Sequence, residues 1–174
     1  RIPRRDVKKA CGVDRTIVFH RSGRVIIQNN KDQILGRGGF KKLKKELDYK
    51  TGQLYAVAGT KAHALELEQM RREERILKQQ QSNPKVIRVF EVTERLNQIG
   101  DQKQKIVMPL YANGDFRNFL RNKGDQYSLL QHVNFMKQMA QALAEAHRTG
   151  LIHYDIKEDN FLVDDKNNIF LADF

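Results

Sequence analysis

The sequence contains a single cysteine, Cys11, which cannot form a disulfide within the chain. A lone thiol suits a reducing compartment, and a cytoplasmic location is our expectation. No apolar run approaches the roughly 20 residues that a bilayer-spanning helix needs, so we expect no membrane span. The chain begins at Arg1 without a signal peptide, which indicates an excised segment. Its 174 residues, 40% hydrophobic and 30% charged, indicate a globular chain of one domain or two small lobes.

Positive charge is concentrated at the start of the chain. Residues 1–50 contain 15 Lys and Arg against 5 Asp and Glu, whereas the whole chain has a net charge of +11. Such a segment can meet nucleic acid, acidic lipid headgroups or an acidic partner. Because no aromatic residues interleave the basic run as a base-stacking platform would require, we favour a solvated flank and the basic wall of an anion site. Nucleic-acid or acidic-membrane binding is the alternative.

The first half of the chain has the pattern of an antiparallel sheet. Short β-branched or apolar runs at 16–19 and 24–28, separated by Ser22-Gly23, predict a hairpin. A glycine cluster interrupts a second strand-turn-strand pattern that begins at Ile34. Further strand signals follow in three places: after a turn at 50–53 into 54–58, over 86–92, and over 105–109 beyond a polar loop at 97–104.

Two segments are predicted to be helices. Residues 62–80 are rich in good helix formers and contain neither Gly nor Pro. Residues 129–147 have an apolar stripe at three- and four-residue spacing, followed by Gly150 as a C-terminal glycine. Short apolar runs at 151–152, 161–163 and 169–171 predict strands. The stripe comprises Leu129, Val133, Met136, Ala140, Leu143 and His147, and the methionines expected to fill the core are Met70, Met136 and Met139.

Oxygen donors suited to phosphate chemistry are concentrated near the end of the chain. Asp155, Lys157 and Asn160 lie in one segment between two apolar runs, and Asp173 follows the last run. One carboxylate could accept a proton from an attacking hydroxyl, and an Asn with a second Asp could hold Mg²⁺ on a polyphosphate. Taken alone, the same residues are also typical of a turn Asp and a capping Asn.

The ordered set of motifs resembles the eukaryotic-type protein kinase family. Residues 152–160, IHYDIKEDN, resemble its catalytic loop H-R-D-x-x-x-x-N, and residues 171–174, LADF, resemble the start of D-F-G. Four further segments are similar to the family and occur in its order. They are the glycine-rich loop at 34–43, the entry to the lysine-bearing strand at 51–57, the end of the C helix with the approach to the next strand at 73–87, and the hinge between the lobes at 107–114.

The resemblance implies an α+β, protein-kinase-like bilobal fold. An antiparallel β small lobe would carry the C helix, and a helical large lobe would follow, truncated at the D-F of D-F-G. It divides the chain into a basic N-terminal flank (1–33), a small lobe (34–110) and the start of a large lobe (111–174). It implies ATP- and Mg²⁺-dependent phosphorylation of Ser/Thr in protein substrates, with catalysis mainly by positioning and charge neutralisation.

The family's roles transfer to matching positions of this sequence. Asp155 would be the catalytic base and Lys157 an aid to phosphoryl transfer, while Asn160 and Asp173 would bind Mg²⁺. Glu74 competes with Glu73 for the C-helix glutamate and is also spaced to pair with Lys78. Gly36 and Gly38 would cover the phosphates, with Phe40 at the loop tip, and Glu73 would be the C-helix glutamate.

The remaining candidates would bind the nucleoside. Leu43, Ala56 and Leu162 would enclose the adenine, with Met108 as gatekeeper. The backbone of Pro109 and Tyr111 would contact the adenine edge, and Asp115 would contact the ribose.

Ala58 departs from the family, because a lysine that holds the phosphates is expected there. Lys41 also replaces the third loop glycine, and this pair of changes is similar to the with-no-lysine kinases, in which a lysine from the glycine-rich strand reaches the phosphates. Lys41 could equally be one of several solvated edge-strand lysines, and Lys61 lies at an odd offset from Ala58. The alternative function is a pseudokinase or silenced kinase that binds nucleotide or partners without phosphotransfer.

Two further departures concern regulation and completeness. Tyr154 replaces the catalytic-loop arginine that usually receives a phosphorylated activation loop, which indicates a kinase that is not switched in that way. The activation segment and later helices are absent from the sequence, so we expect the 129–147 helix to expose apolar surface. His153 is expected to be structural.

Overall fold

The computed structural model describes residues 15–19, 25–29, 34–37, 41–60, 64–96 and 102–173. The chain divides into two compact units, one of residues 1–67 with 91–110 and one of 68–90 with 111–174. Residues 68–90 group with the second unit, although the residues on either side of them in the sequence belong to the first. The expectations for Cys11, Ser22-Gly23, Gly38, Phe40 and Lys61 lie outside the described residues.

An antiparallel sheet forms the first unit. In the described residues its strand order is β1-β2-β4-β5-β7-β6, and β3 also pairs with β4. The hairpin predicted around 16–28 is confirmed, because β1 pairs with β2 from Arg15 opposite Asn29 to Phe19 opposite Val25. The strands are β1 (Arg15–Phe19), β2 (Val25–Asn29), β3 (Ile34–Arg37), β4 (Lys41–Asp48), β5 (Leu54–Thr60), β6 (Glu91–Leu96) and β7 (Gln102–Pro109).

The two faces of β5 contribute different buried side chains, because successive residues of a strand alternate between faces. Tyr55 and Val57 form one buried cluster with Val107 of β7. Ala56 and Ala58, on the other face, are also buried. The turn predicted before β5 is confirmed: Asp48 donates its amide to Gln53 and accepts from the amide of Gly52, both at 2.8 Å.

The strand predicted over 86–92 is wrong at its start, because β6 begins at Glu91. Residues 85–87 instead run beside the end of the second unit. The amide of Ile87 donates to the Leu171 carbonyl at 3.0 Å, and the amide of Leu171 donates to the Lys85 carbonyl at 2.7 Å. The apolar run therefore serves two separate elements, which its residue types alone do not distinguish.

The second unit combines helices with one small hairpin. The run at 151–152 was predicted as a strand, but it is irregular backbone. The helices are α1 (Ala64–Gln79), of which residues from 68 onward fall in this unit, α2 (Phe116–Lys123) and α3 (Leu129–Arg148). The hairpin strands are β8 (Phe161–Val163) and β9 (Ile169–Leu171), as predicted, and short 3-10 turns lie at Gln80–Ser82, Gly124–Gln126 and Glu158–Asn160.

Helix α2 was not predicted from the sequence, because its eight residues span barely two turns. Its start is defined by Asp115, whose carboxylate accepts a hydrogen bond from the amide of Asn118 at 2.8 Å. Its two buried rings, Phe116 and Phe119, pack edge-on against Phe135 of α3, with ring centroids 5.8 and 5.6 Å apart. Tertiary packing therefore stabilises a helix too short to be marked by its own periodicity.

Helix α3 has well-defined caps at both ends. Ser128 and Gln131 form a capping box at its start. At its end, Gly150 has a φ of +77°, its amide donates to His147, and the amide of Leu151 donates to Ala146. These bonds form a Schellman motif, which confirms Gly150 as the C-terminal glycine.

The buried face of α3 is not its stripe of large apolar residues. Phe135, Ala142 and Ala146 are buried, whereas Leu129 is 81% and Met136 67% exposed. The expectation that Met136 fills the core is therefore wrong, while Met70 of α1 is buried as expected and Met139 is half-buried. The expected exposure of apolar surface on this helix is confirmed. Among the described residues, no helix is long and apolar enough to cross a membrane.

Candidate active site

Three of the predicted site residues meet in the segment between α3 and β8. The ammonium group of Lys157 donates to Asp155 Oδ2 at 2.5 Å. The side-chain amide of Asn160 donates to the backbone carbonyl of Asp155 at 2.7 Å and to its Oδ2 at 3.3 Å. Asn160 is buried, and its backbone amide donates to the Lys157 carbonyl at 3.0 Å within the 3-10 turn. The carboxylate of Asp155 is thus exposed, while the buried side chain of Asn160 fixes the backbone of Asp155.

The charge state of Asp155 follows from these contacts. The hydrogen bond from Lys157 lowers the pKa of the Asp155 carboxyl, and the bond from Asn160 and the charge of Lys157 act in the same direction. In turn, the hydrogen bond to Asp155 raises the pKa of Lys157. Both groups are therefore charged at neutral pH. Within the described residues, Asp155 Oδ1 accepts no hydrogen bond, which leaves this oxygen available to an incoming hydroxyl.

Backbone contacts bring the position of Asp173 beside this loop. The buried ring of His153 donates through Nε2 to the carbonyl of Ala172 at 2.8 Å. The amide of Ala172 donates to the carbonyl of Asn160, also at 2.8 Å. Asp173, the next residue, has a left-handed backbone with φ 58°. His153 therefore has the structural role expected of it, and the loop and the end of β9 are held together.

Asn160 and Asp173 fit the donor set of a magnesium site. The side-chain nitrogen of Asn160 donates to Asp155, so the side-chain oxygen of Asn160 is the atom left for a cation. Mg²⁺ usually keeps several waters and takes one or two protein oxygens together with substrate phosphates. No group of three or more His, Cys, Asp or Glu side chains able to hold a metal occurs in the described part of the chain. A magnesium site with only two protein ligands would therefore need further oxygen ligands from the phosphates of the nucleotide.

Tyr154, in the same loop, has an unusual backbone conformation. Its φ of 63° is left-handed, which is rare for a bulky residue, and its side chain is 86% exposed. The His153 and Asp155 positions on either side are both held by hydrogen bonds, as described above. These flanking contacts keep the strained residue in place.

The nucleotide-binding candidates of the second unit lie close to this loop in the fold. Asp115 forms a backbone bridge with Leu162 of β8, so these two candidates are neighbours. Both carboxylate oxygens of Asp115 already accept from Asn118, at 2.8 Å each. The Tyr111 hydroxyl accepts from the Arg88 amide at 3.2 Å, and burial raises the pKa of Tyr111 to about 12. Its side chain is thus structural, which agrees with a binding role limited to its backbone.

Several described candidates of the first unit share one face of the sheet. Ala56 lies opposite Met108 of β7, and Ala58 lies opposite Leu43 of β4. Residues directly opposite in an antiparallel pair share a face, and so do alternate residues of one strand. Lys41, two residues before Leu43 and opposite Thr60, therefore occupies the same face as Ala58. Gly36 pairs with Leu43 next to a register irregularity between Ile34 and Gly36.

Ala58 is 2% exposed and lies between Leu43 and Ile106 in the sheet. A methyl side chain has no charge to offer a phosphate, so any cation on this face must come from another position. Lys41 lies on this face by its register, and so does Lys45, which is opposite Ala56 on the other side of Leu43. The assignment of Lys41 to phosphate stays a prediction.

Two glutamates of α1 are the candidates for the C-helix glutamate. Met70 and Leu77 are buried and mark the inner face of the helix, which Glu73 and Glu74 both border. Glu74 forms the expected ion pair with Lys78, four residues later, at 2.5 Å. The expected pairing of Glu74 with Lys78 is therefore confirmed.

One charged group beside the loop was missed from the sequence. A single Arg117 nitrogen, Nη2, lies 3.1 Å from Glu158 Oε2 and 3.0 Å from Asp159 Oδ2. Arg117 belongs to α2, 41 residues before Glu158. No periodicity or motif links residues so far apart, and only the packing of α2 beside the 3-10 turn reveals the contact.

The sequence matches the protein kinase domain family over residues 29–174. It is 27% identical over 146 residues to human NUAK family SNF1-like kinase 1, covering 82% of this chain and 21% of that protein. It is 30% identical over 178 residues to serine/threonine-protein kinase ppk35 of Schizosaccharomyces pombe, covering 96% of this chain and 26% of that one. Calcium-dependent protein kinase 5 of Plasmodium berghei is 30% identical over 135 residues, 77% of this chain and 23% of that protein. The chain thus spans about a quarter or less of each relative's length.

Proposed function

Because this chain belongs to the protein kinase family, we propose that the protein transfers a phosphoryl group from ATP to Ser or Thr side chains of proteins. The observation that carries the proposal is the arrangement of Asp155, Lys157 and Asn160 in one loop, with the backbone before Asp173 bonded to Asn160. A base, a cation and two oxygen ligands are the parts that this chemistry needs. The name of one relative, the serine/threonine-protein kinase ppk35, supports the substrate class.

Asp155 would act on the hydroxyl of the substrate. Its carboxyl is ionised at neutral pH because Lys157 and Asn160 hydrogen-bond its charged form. Both of these bonds are made to Oδ2, which fixes the carboxylate and leaves Oδ1 to accept the hydroxyl hydrogen. The attacking oxygen would thereby be oriented and would lose its proton to Asp155 as its bond to the γ-phosphorus forms and the bond from that phosphorus to the oxygen of the departing ADP breaks.

Lys157, Asn160 and Asp173 would act on the nucleotide side of the reaction. Lys157 is held beside Asp155 and would offer its positive charge to the transferring phosphoryl group. The side-chain oxygens of Asn160 and Asp173 would hold Mg²⁺, which when bound neutralises charge on the phosphates. Asn160 would also keep the loop in shape through its bond to the Asp155 carbonyl.

In the first unit, Lys41 would supply the cation that Ala58 lacks. Its position on the Ala58 face, one diagonal step from that residue in the sheet register, allows this role. Lys45 lies at the matching step on the same face, so the similarity of the glycine-rich loop to the with-no-lysine kinases is what singles out Lys41. Ala56, Met108 and Leu43, which share that face, would provide the apolar surface for adenine. Nucleotide binding without transfer is the second candidate function, and the buried alanine at position 58 is the observation that favours it.

Phosphotransfer from labelled ATP to protein Ser/Thr tests the proposal, using the protein with its full natural sequence. Asp155→Asn keeps the shape of the side chain, removes its negative charge and should lower kcat by at least 100-fold. Asp165→Asn, in the exposed β8–β9 turn, makes the same chemical change and should leave kcat unaltered. Mg²⁺-dependent ATP binding with transfer no faster than that of Asp155→Asn would instead establish the second candidate.

A further inference from the structure

Arg117 bridges two carboxylates that belong to the loop of the candidate catalytic residues. Its Nη2 contacts Glu158 and Asp159, which stand between Lys157 and Asn160. The side chains of Arg117, Glu158 and Asp159 are 49%, 52% and 42% exposed, so all three face solvent as well as one another. An exposed ion pair of this kind adds little to stability. Its main consequence is for the charge that the loop presents.

The local charge balance depends on Arg117. Lys157 and Asp155 neutralise each other through their hydrogen bond. Glu158 and Asp159 leave two negative charges on the turn, and the guanidinium of Arg117 cancels one of them. Asp159 lies close enough to the catalytic pair that its charge helps to raise the pKa of Lys157, after the larger effect of Asp155. The charge of Asp159 thus reaches the pair beside which a substrate hydroxyl would arrive.

We propose that Arg117 is a specificity-determining residue, which lowers the preference of this surface for positively charged peptide segments by masking Glu158 and Asp159. This inference rests on the proposed function, because it assumes that a peptide hydroxyl approaches Asp155. Residues on either side of that hydroxyl would then pass the half-exposed carboxylates of the same turn. With Arg117 in place they meet one net negative charge there, and without it they would meet two.

Equilibrium binding of paired fluorescent peptides tests the proposal without requiring phosphotransfer. Each peptide has one Ser among Ala and Gly, flanked on both sides by Arg in one peptide and by Gln in the other. The measured quantity is the affinity ratio of the Arg peptide to the Gln peptide at low ionic strength. Arg117→Gln should raise this ratio about threefold for each peptide Arg near the turn, since one charge at about 7 Å in water corresponds to that factor. The rise should shrink in high salt.

Two further variants show whether a change in the affinity ratio comes from the contact of Arg117 with Glu158 and Asp159. Arg121→Gln removes the same charge one turn later on α2, where the described residues provide no ion pair, and should change the ratio much less. The double variant Glu158→Gln/Asp159→Asn, with Arg117 intact, should lower the ratio below that of the wild-type protein. It also keeps the test valid if Arg117→Gln does not fold, which thermal unfolding would show.

Equal ratios for the wild-type protein and folded Arg117→Gln would overturn the proposal, and so would a failure of the wild-type protein to bind either peptide. An unchanged ratio in the Glu158/Asp159 double variant would also overturn it. Failure of phosphotransfer alone, with the ratios shifting as expected, would count against the proposed function and leave the role of Arg117 in place.

Discussion

The backbone amide of Ala172 donates to the backbone carbonyl of Asn160 at 2.8 Å, one pair beyond the last strand pair of the β8–β9 hairpin, Phe161 opposite Leu171. The register of this hairpin therefore sets which residue comes beside Asn160, and Asp173 follows directly. A slip of one residue would turn every side chain of the strand to the other face. The register of the β8–β9 hairpin thus places Asp173 one residue beyond the partner of Asn160, and these two residues are the candidate metal ligands.

Replacement of Lys41 tests the source of the phosphate cation. We expect Lys41→Met to lower kcat/KM for ATP by 10-fold or more, because one charge-assisted contact to the nucleotide would be lost. Lys42→Met is the matched control, since the neighbouring residue occupies the opposite face of β4 and pairs with Gly59. Steady-state phosphotransfer with varied ATP measures both. Equal effects of the two variants would contradict the assignment, and recovery in Lys41→Met/Ala58→Lys would support it.

The pKa of Asp155 should rise when its cation is removed. Lys157 holds this pKa below the ordinary 3.8, mainly by its hydrogen bond, so Lys157→Met should move it upward. A depressed carboxyl pKa stabilises the folded state above the unfolded-state pKa, and this contribution disappears as pH falls through the folded-state value. Titration of the side-chain carboxyl carbon by NMR measures the shift. Lys166→Met, which removes an exposed lysine of the β8–β9 turn, should leave it unchanged.

The C-terminal cap of α3 should require glycine. A Cβ at Gly150 would meet no heavy atom within 4 Å, so the cost of Gly150→Ala comes from its φ of +77° alone. We expect a loss of about 1 kcal/mol in the free energy of unfolding, measured by urea denaturation.

Gly124→Ala is the control for this substitution. Gly124 has φ −53°, and its added Cβ would make ordinary contacts with Leu120 and His132 at 3.9–4.0 Å. Alanine there should be neutral or stabilising by up to about 1 kcal/mol. Equal effects at the two glycines would show that backbone strain does not govern the cap.

Phe135 should be the most costly ring to remove from the second unit. It is buried and contacts four rings, those of Phe116, Phe119, Tyr127 and His132, with centroids 5.2–6.2 Å away. Phe135→Ala should lower the free energy of unfolding by about 3–5 kcal/mol. Phe135→Leu, which keeps most of the volume, should cost less than about 1.5 kcal/mol. A loss below 1 kcal/mol for the alanine variant, measured by denaturant unfolding, would contradict this.

Local signals in the sequence anticipated most of the elements. The hairpin of β1 and β2, the long helices α1 and α3, the strands β8 and β9 and the glycine at the end of α3 all have nearest-neighbour causes: strand alternation, helical spacing and turn chemistry. Helix α2 was missed because it is short and depends on Phe135 for its packing. The strand at 86–92 was misplaced because residues 85–87 pair with β9 instead.

The sequence by itself determined the order of the motifs and marked Asp155, Lys157, Asn160 and Asp173 as candidates, because both follow from residue types at short spacing. Only the tertiary structure decided which residues meet across long separations. It buried the Phe135 face of α3 rather than the Met136 face, placed Lys41 on the Ala58 side of the sheet by register, and joined Arg117 to Glu158 and Asp159. Periodicity defines a face but not its neighbour, since the neighbour is chosen by packing and pairing between segments distant in the chain.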